Sequence, residues 1–324
     1  MEERLILLPD VGDLLRLSPR YNAATLVEIA RMLGAREIVW VSSPDPEHPA
    51  RDAFGAAGFG IRDLAPDWAW AEAEAARFPE FLSQYPEGRE RLRAAQRLDD
   101  DLRRTLDQPL TLEYLTGADV LNTVRNYHAQ LRLQLGEGPG TAHREKRLDL
   151  IAESLRNASG LALAALDDLP DLQERLPQAV LPSSATFAPG DSSRLRALTD
   201  RALRLEDEDD LSALVEALLR EDGDAITPKA ELQYAAANVY LAVGDLSGAR
   251  ELLEASAHAL ADHPRTLPGL VLARLGQVRD AQGERDLARR AYQAVNALPF
   301  APQIALDTAR SGLASPFQLE SAEN

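Results

Sequence analysis

Residues 238–253, NVYLAVGDLSGARELL, and residues 277–292, QVRDAQGERDLARRAY, decide how the second half of this chain folds. Each carries a glycine, an acid, and an alanine five residues after the glycine: Gly244 with Ala249, Gly283 with Ala288. Both pairs are 39 residues apart, so the two stretches are copies. An earlier copy in LEDEDDLSALVEALL places Ala213 36 residues before Ala249. The spacing predicts paired helices: the glycine forms the turn, and the alanine lets two helices approach closely.

This pattern resembles the tetratricopeptide repeat, whose period is about 34 residues with two antiparallel helices per unit. Tyr240, Gly244, Ala249 and Leu253 match that family's pattern in the central copy. Leu275, Gly276, Gly283, Ala288 and Tyr292 match it in the last. The resemblance covers about 194–302 and implies a helical solenoid whose first helices line a groove. That groove would show Tyr234, Asn238, Leu241, Leu270, Ala273, Gln277 and Asp280, a mixed apolar and amide face suited to a peptide or a helix. Some family members clamp a peptide carboxylate with lysine and asparagine. Asn238 fits one such position, but Tyr234 and Ala273 stand where lysine is expected, which argues against that mode. The groove has three candidate occupants: a partner protein, a second copy of the chain, or the chain's own front half.

Working outward, residues 302–313 read as a capping helix and 314–324 as a flexible tail. Residues 181–193, LPSSATFAPGDSS, read as a proline- and serine-rich linker. Ahead of it, strand and helix signals alternate. Leu5–Leu8 is a short apolar strand, and Ser18-Pro19 offers a cap and first-turn proline for a helix closed by Gly34. Glu37–Ser42 is a second strand, ARDAFGAAG a short helix, and Gly60–Leu64 a third strand. Residues 67–157 are a large helical insertion. LALAAL at 161–166 then returns to the sheet, although its alanines also suit a helix, and DDLPDLQERL follows as a capped helix. The expected fold is α/β plus all-α: a parallel-sheet domain over 1–180, then tetratricopeptide-like repeats over 194–313.

Residues 1–180 also resemble the erythromycin-esterase and TraB-like group. In that group a helix-rich insertion and an arginine-bearing helix, here HREKRLDLIAESL, precede a strand that ends in histidine. This chain has Asp10 and Asp13 after the first strand, Ser42-Ser43 after the second, and Asp167-Asp168 where the late histidine belongs. The resemblance carries over Arg144 or Arg147 and implies that the group's histidine-dependent chemistry is lost.

Ligands of open parallel sheets bind at the carboxyl ends of the strands. Those ends supply Asp10, Asp13, Asp45, His48 and Asp167 as candidate catalytic groups. The four aspartates could also hold a hard cation such as Mg²⁺ or Mn²⁺, giving a metal-assisted hydrolase. The competing explanation is that aspartate favours helix starts for capping. No HExxH, G-x-S-x-G or Walker-type loop occurs, and GAAGFG at 55–60 precedes a strand instead of following one.

The bulk numbers exclude more than they assign. There is no cysteine, hence no disulfide and no thiolate site. Only Lys146 and Lys229 are lysines. Net charge is −17 and spread over both halves, so a nucleic-acid surface is not expected. MEERLILLPD carries acids where a signal peptide needs bases and its apolar run is short, and no run suits a membrane span, which makes the cytoplasm the expected compartment. The function expected first is non-catalytic: a scaffold that binds a protein partner, or itself, through the repeats, with no cofactor. The alternative is the metal-dependent hydrolase.

Overall fold

A computed structural model describes residues 4–319 apart from 68, 137 and 186. In chain order the elements are β1 (Leu5–Asp10), a 3₁₀ turn (Gly12–Arg16), α1 (Ala23–Met32), β2 (Glu37–Trp40), α2 (Pro49–Ala56) and β3 (Gly60–Asp63). Next come α3 (Ala69–Ser83), α4 (Pro86–Leu106), α5 (Leu112–Thr116), α6 (Ala118–Leu135), α7 (Pro139–Leu155), β4 (Gly160–Ala165) and α8 (Leu169–Arg175). Seven helices follow: α9 (Asp191–Ala202), α10 (Leu211–Arg220), α11 (Lys229–Ala242), α12 (Leu246–His258), α13 (Leu267–Ala281), α14 (Arg285–Ala297) and α15 (Gln303–Ala314). The fold is mixed α/β: one small parallel sheet and many helices. Among the described residues no helix is long and apolar enough to cross a membrane.

Two compact units form, and they do not follow the linear division read from the sequence. One holds the chain up to Leu14, Ile29–Asp45 and Phe59–Ala188. The other holds Leu15–Glu28, Pro46–Gly58 and the chain from Pro189 onward.

The first unit contains the four-stranded sheet, ordered β1-β4-β2-β3 with every pair parallel. LALAAL is therefore a strand, and a central one. Hydrogen bonds on both sides outweigh the helical preference of its alanines, and both its faces are covered from Leu161 to Ala164. Strand β1 runs on to Asp10, past the Leu8 at which the apolar run stops. Leu7 turns its N–H outward to Val180 at 2.9 Å. Pro9, two residues on, has the same outward parity, so its missing donor costs no ladder bond at this edge. The insertion packs as a helical cluster, α4 on α6 and α3 on α4 and α7.

In the second unit each helix from α9 to α15 packs on its successor, and the alternate helices α9, α11, α13 and α15 also touch in sequence. The 39-residue repeat reappears as repeated geometry. Gly244 and Gly283 both have φ 79°, where a side chain would be strained. Asp245 N–H donates to Tyr240 O at 2.9 Å and Glu284 N–H to Arg279 O at 2.8 Å. Ala249 and Ala288 are buried, as are Leu253 and Tyr292 one turn on. The earlier copy needs correction. Asp210 accepts the Ala213 N–H at 2.9 Å, as Asp245 accepts that of Gly248 at 2.9 Å. Leu214, not Ala213, is thus the counterpart of Ala249; Ala213 is exposed.

The two front segments of this unit cap its helices. Glu28 accepts from the N–H groups of Gly190 and Ser193 at the head of α9, at 2.8 and 3.2 Å. Asp52 accepts from Arg265 N–H at 3.1 Å and from the Thr266 hydroxyl at 3.1 Å, at the head of α13. Glu47 accepts from Gln303 N–H, the first of α15, at 2.7 Å. Each acid satisfies orphan donors and lies at the positive end of a helix dipole. The cap of α1 also differs from expectation. Asn22 accepts the Thr25 N–H at 3.1 Å and the helix starts at Ala23, so Ser18-Pro19 lies outside it. Of the expected flexible tail, residues 315–319 follow α15, and Phe317 N–H donates to Asp280 at 2.9 Å; residues 320–324 lie outside the described residues.

Candidate functional site

A cavity of about 410 Å³ lies within the first unit at the carboxyl ends of the strands. Asp10, Val11, Gly12 and Leu14 line it after β1, Val41 to Pro44 after β2, Ala65 and Pro66 after β3, and Ala165 to Asp168 at the end of β4. The insertion supplies Leu102 and Leu106 from α4, Val124 from α6 and Arg147 from α7. The sheet thus presents polar groups, and the insertion contributes most of a hydrocarbon wall.

The polar groups form three sets. Asp10 is buried and accepts the Gly12 N–H at 3.0 Å and the Ser42 hydroxyl. Asp168 is 1% exposed, and Arg147 Nη2 donates to its Oδ1 at 2.5 Å. Its Oδ2 is buried without a hydrogen-bond partner among the described residues. Burial pushes the Asp168 carboxyl up, aided by the charge of Asp167 and opposed by Arg147. Asp167 is the third. Its Oδ1 lies 2.8 Å from His128 Nε2, and Arg144 Nη2 donates to its backbone carbonyl at 2.7 Å. About half of the Asp167 side chain is accessible, and the burial of the rest pushes its pKa up. The His128 hydrogen bond and the charges of Arg144 and Arg147 outweigh this and hold it below the usual carboxylate value. Two neighbouring carboxyls are therefore driven in opposite directions.

Of the expected catalytic residues, the cavity gathers Asp10 and Asp167 and leaves out the rest. Asp13 is exposed on the 3₁₀ turn, and Asp45 is exposed on the loop after β2. His48 belongs to the other unit, where its Nδ1 accepts the Ala50 N–H at 3.3 Å and caps α2. The four-aspartate cation site is corrected accordingly: among the described residues no three His, Asp or Glu side chains are placed to hold a metal ion. Two residues of this site were not picked out by the strand-end pattern. Arg147 was reached through a family resemblance. His128 carried no signal, because its partner Asp167 is 39 residues away and no motif links them.

The groove expected on the repeats is largely consumed by the repeats themselves. Tyr234 and Leu241 are buried in a cluster with Leu253, Val271 and Leu275. Ala273 is buried with Ala288, Tyr292 and Val295, and Leu270 packs against both clusters. Asp280 is held by Arg285 at 2.9 Å and by the Tyr292 hydroxyl at 3.1 Å. Asn238 Nδ2 donates to Tyr234 O at 2.8 Å, and Gln277 accepts from Arg274 at 2.7 Å.

Family models, curated proteins and solved structures give no match to this chain. The two family resemblances rest on its residues alone.

Proposed function

We propose that the α/β unit binds a small organic molecule in the cavity at the strand ends and acts on it by acid–base chemistry. The observation that supports this most directly is Asp168: a carboxyl 1% exposed, paired to Arg147 on one oxygen and unpartnered on the other among the described residues, in the lining of the cavity. Buried polar atoms without partners are costly, and they concentrate where a ligand supplies the missing bond. In this reading Asp10 and Asp167 are the proton-accepting groups, because both line the cavity and Asp167 is held ionised. The hydrolase expectation narrows to these two carboxylates, without a Mg²⁺ or Mn²⁺ centre. Ligand-observed NMR with a fragment library on the full chain tests it. Binders should be lost in Val124→Trp, which fills the wall, while the melting curve stays cooperative. A library with no binder displaced by that substitution overturns the reading.

A second reading concerns α9–α15. Their matched turns at Gly244 and Gly283 support a tetratricopeptide-like stack that holds protein. Its first occupants are the chain's own residues 15–28 and 46–58, which cap its helices. A partner protein or a second copy would meet other faces of the stack. Light scattering of the full chain across concentration tests the second copy, and a mass fixed at one chain removes it.

A further inference from the structure

We infer that the ligand of the strand-end cavity is an organic cation, a primary or secondary amine carried on an apolar body. This rests on the small-molecule reading above and names its chemical class. The nearby guanidinium groups are largely engaged by acids, and Arg144, whose Nε keeps no hydrogen-bond partner among the described residues, does not line the cavity. Arg147 is taken by Asp168 at 2.5 Å, and Arg144 reaches Asp171 at 2.7 Å and the Asp167 carbonyl at 2.7 Å. Asp167 is the carboxylate left facing the space: 48% of its side chain is accessible, and the Arg144 Nε near its Oδ2 stands 3.9 Å away, beyond hydrogen-bond reach. Its Oδ1 is occupied by His128, which fixes the orientation of the carboxylate.

Asp168 Oδ2 adds a buried acceptor that lacks a donor. An ammonium group has up to three donors and no acceptor, so it suits a space lined by Asp10, Asp167 and Asp168. A carboxylate or phosphate ligand would instead meet the like charges of Asp10 and Asp167. The wall from Leu14, Leu102, Leu106 and Val124 fits a hydrocarbon or aromatic body and offers nothing to a polyol. The lowered pKa of Asp167 agrees with a counter-charge that persists at neutral pH.

The test uses the full chain and three probes on one skeleton: phenethylamine, 2-phenylethanol and 3-phenylpropanoate, titrated by NMR. The amine should bind at least tenfold more tightly than the alcohol, and the carboxylate least of all. Asp167→Asn should abolish the preference of amine over alcohol, with its melting curve compared to that of the parent chain. Alcohol or carboxylate binding as tightly as the amine, and lost in Val124→Trp, overturns the cation class and leaves the cavity reading standing. Failure of every fragment in the wider library overturns both.

Discussion

Glu28 and Ser193 are 165 residues apart, and the Glu28 carboxylate accepts both the backbone N–H and the hydroxyl of Ser193. Asn22 Nδ2 donates to the Ser193 carbonyl at 2.9 Å, so three polar groups of one residue are satisfied by the front of the chain. With Asp52 on Arg265 and Glu47 on Gln303, helices α9, α13 and α15 begin on acids borrowed from residues 15–58.

Each borrowed cap should contribute about 1 kcal/mol, the usual worth of an N-cap. Glu28→Gln, Asp52→Asn and Glu47→Gln are expected to lower stability by that amount in urea unfolding. The fragment 189–324 alone, lacking all three acids, should lose a sharp transition. A fragment as stable and cooperative as the full chain would show the caps to be incidental.

Arg147→Met should cost about 3 kcal/mol, because buried Asp168 then loses its ion-pair and hydrogen-bond partner. The double substitution Arg147→Met with Asp168→Leu should recover most of that loss. Chemical denaturation of the single and double variants gives the coupling energy, and simple additivity would argue against a coupled pair.

Gly276 lies against Tyr292, and a Cβ there would stand 2.4 Å from the ring carbon Cε1. Gly276→Ala is therefore expected to destabilise by about 1–3 kcal/mol through overpacking. Tyr292→Phe keeps the ring but removes the hydroxyl bond to Asp280 and should cost about 1 kcal/mol. Thermal melts of both variants check the order.

Asp200, its side chain 12% exposed, lies in α9 beside Arg196 at 2.9 Å. Burial pushes its carboxyl up to about 6, with Arg196 opposing and Glu231 reinforcing the rise. A folded pKa above the unfolded one means that the native state holds the proton longer. Its contribution is therefore most favourable below about pH 4 and is lost as pH rises to about 6. Compared with Asp200→Asn, the parent chain should lose roughly 1–3 kcal/mol between those pH values. Equal pH slopes for the two proteins would show that Asp200 does not titrate there.

Adding Mn²⁺ or Mg²⁺ at millimolar concentration should leave the melting temperature unchanged, since Asp13 and Asp45 do not join Asp10 and Asp167. An upward shift abolished by Asp10→Asn would restore the four-aspartate site.

The sequence by itself determined what short-range patterns encode. The period of 39 residues fixed the Gly244 and Gly283 turns, because positive φ and an alanine five residues on are local requirements. Leu5–Leu8 and EIVWVS gave strands, and their carboxyl ends pointed to Asp10 and Ser42 at one edge of a sheet. Tertiary structure decided the rest. Only pairing on both sides made the alanine-rich β4 a central strand. Only packing turned Tyr234, Leu241 and Ala273 from groove residues into core, since a helix periodicity shows which residues share a face and not what covers it. Hydrogen bonds from His128 to Asp167 and from the head of α9 to Glu28 join residues that no local spacing links.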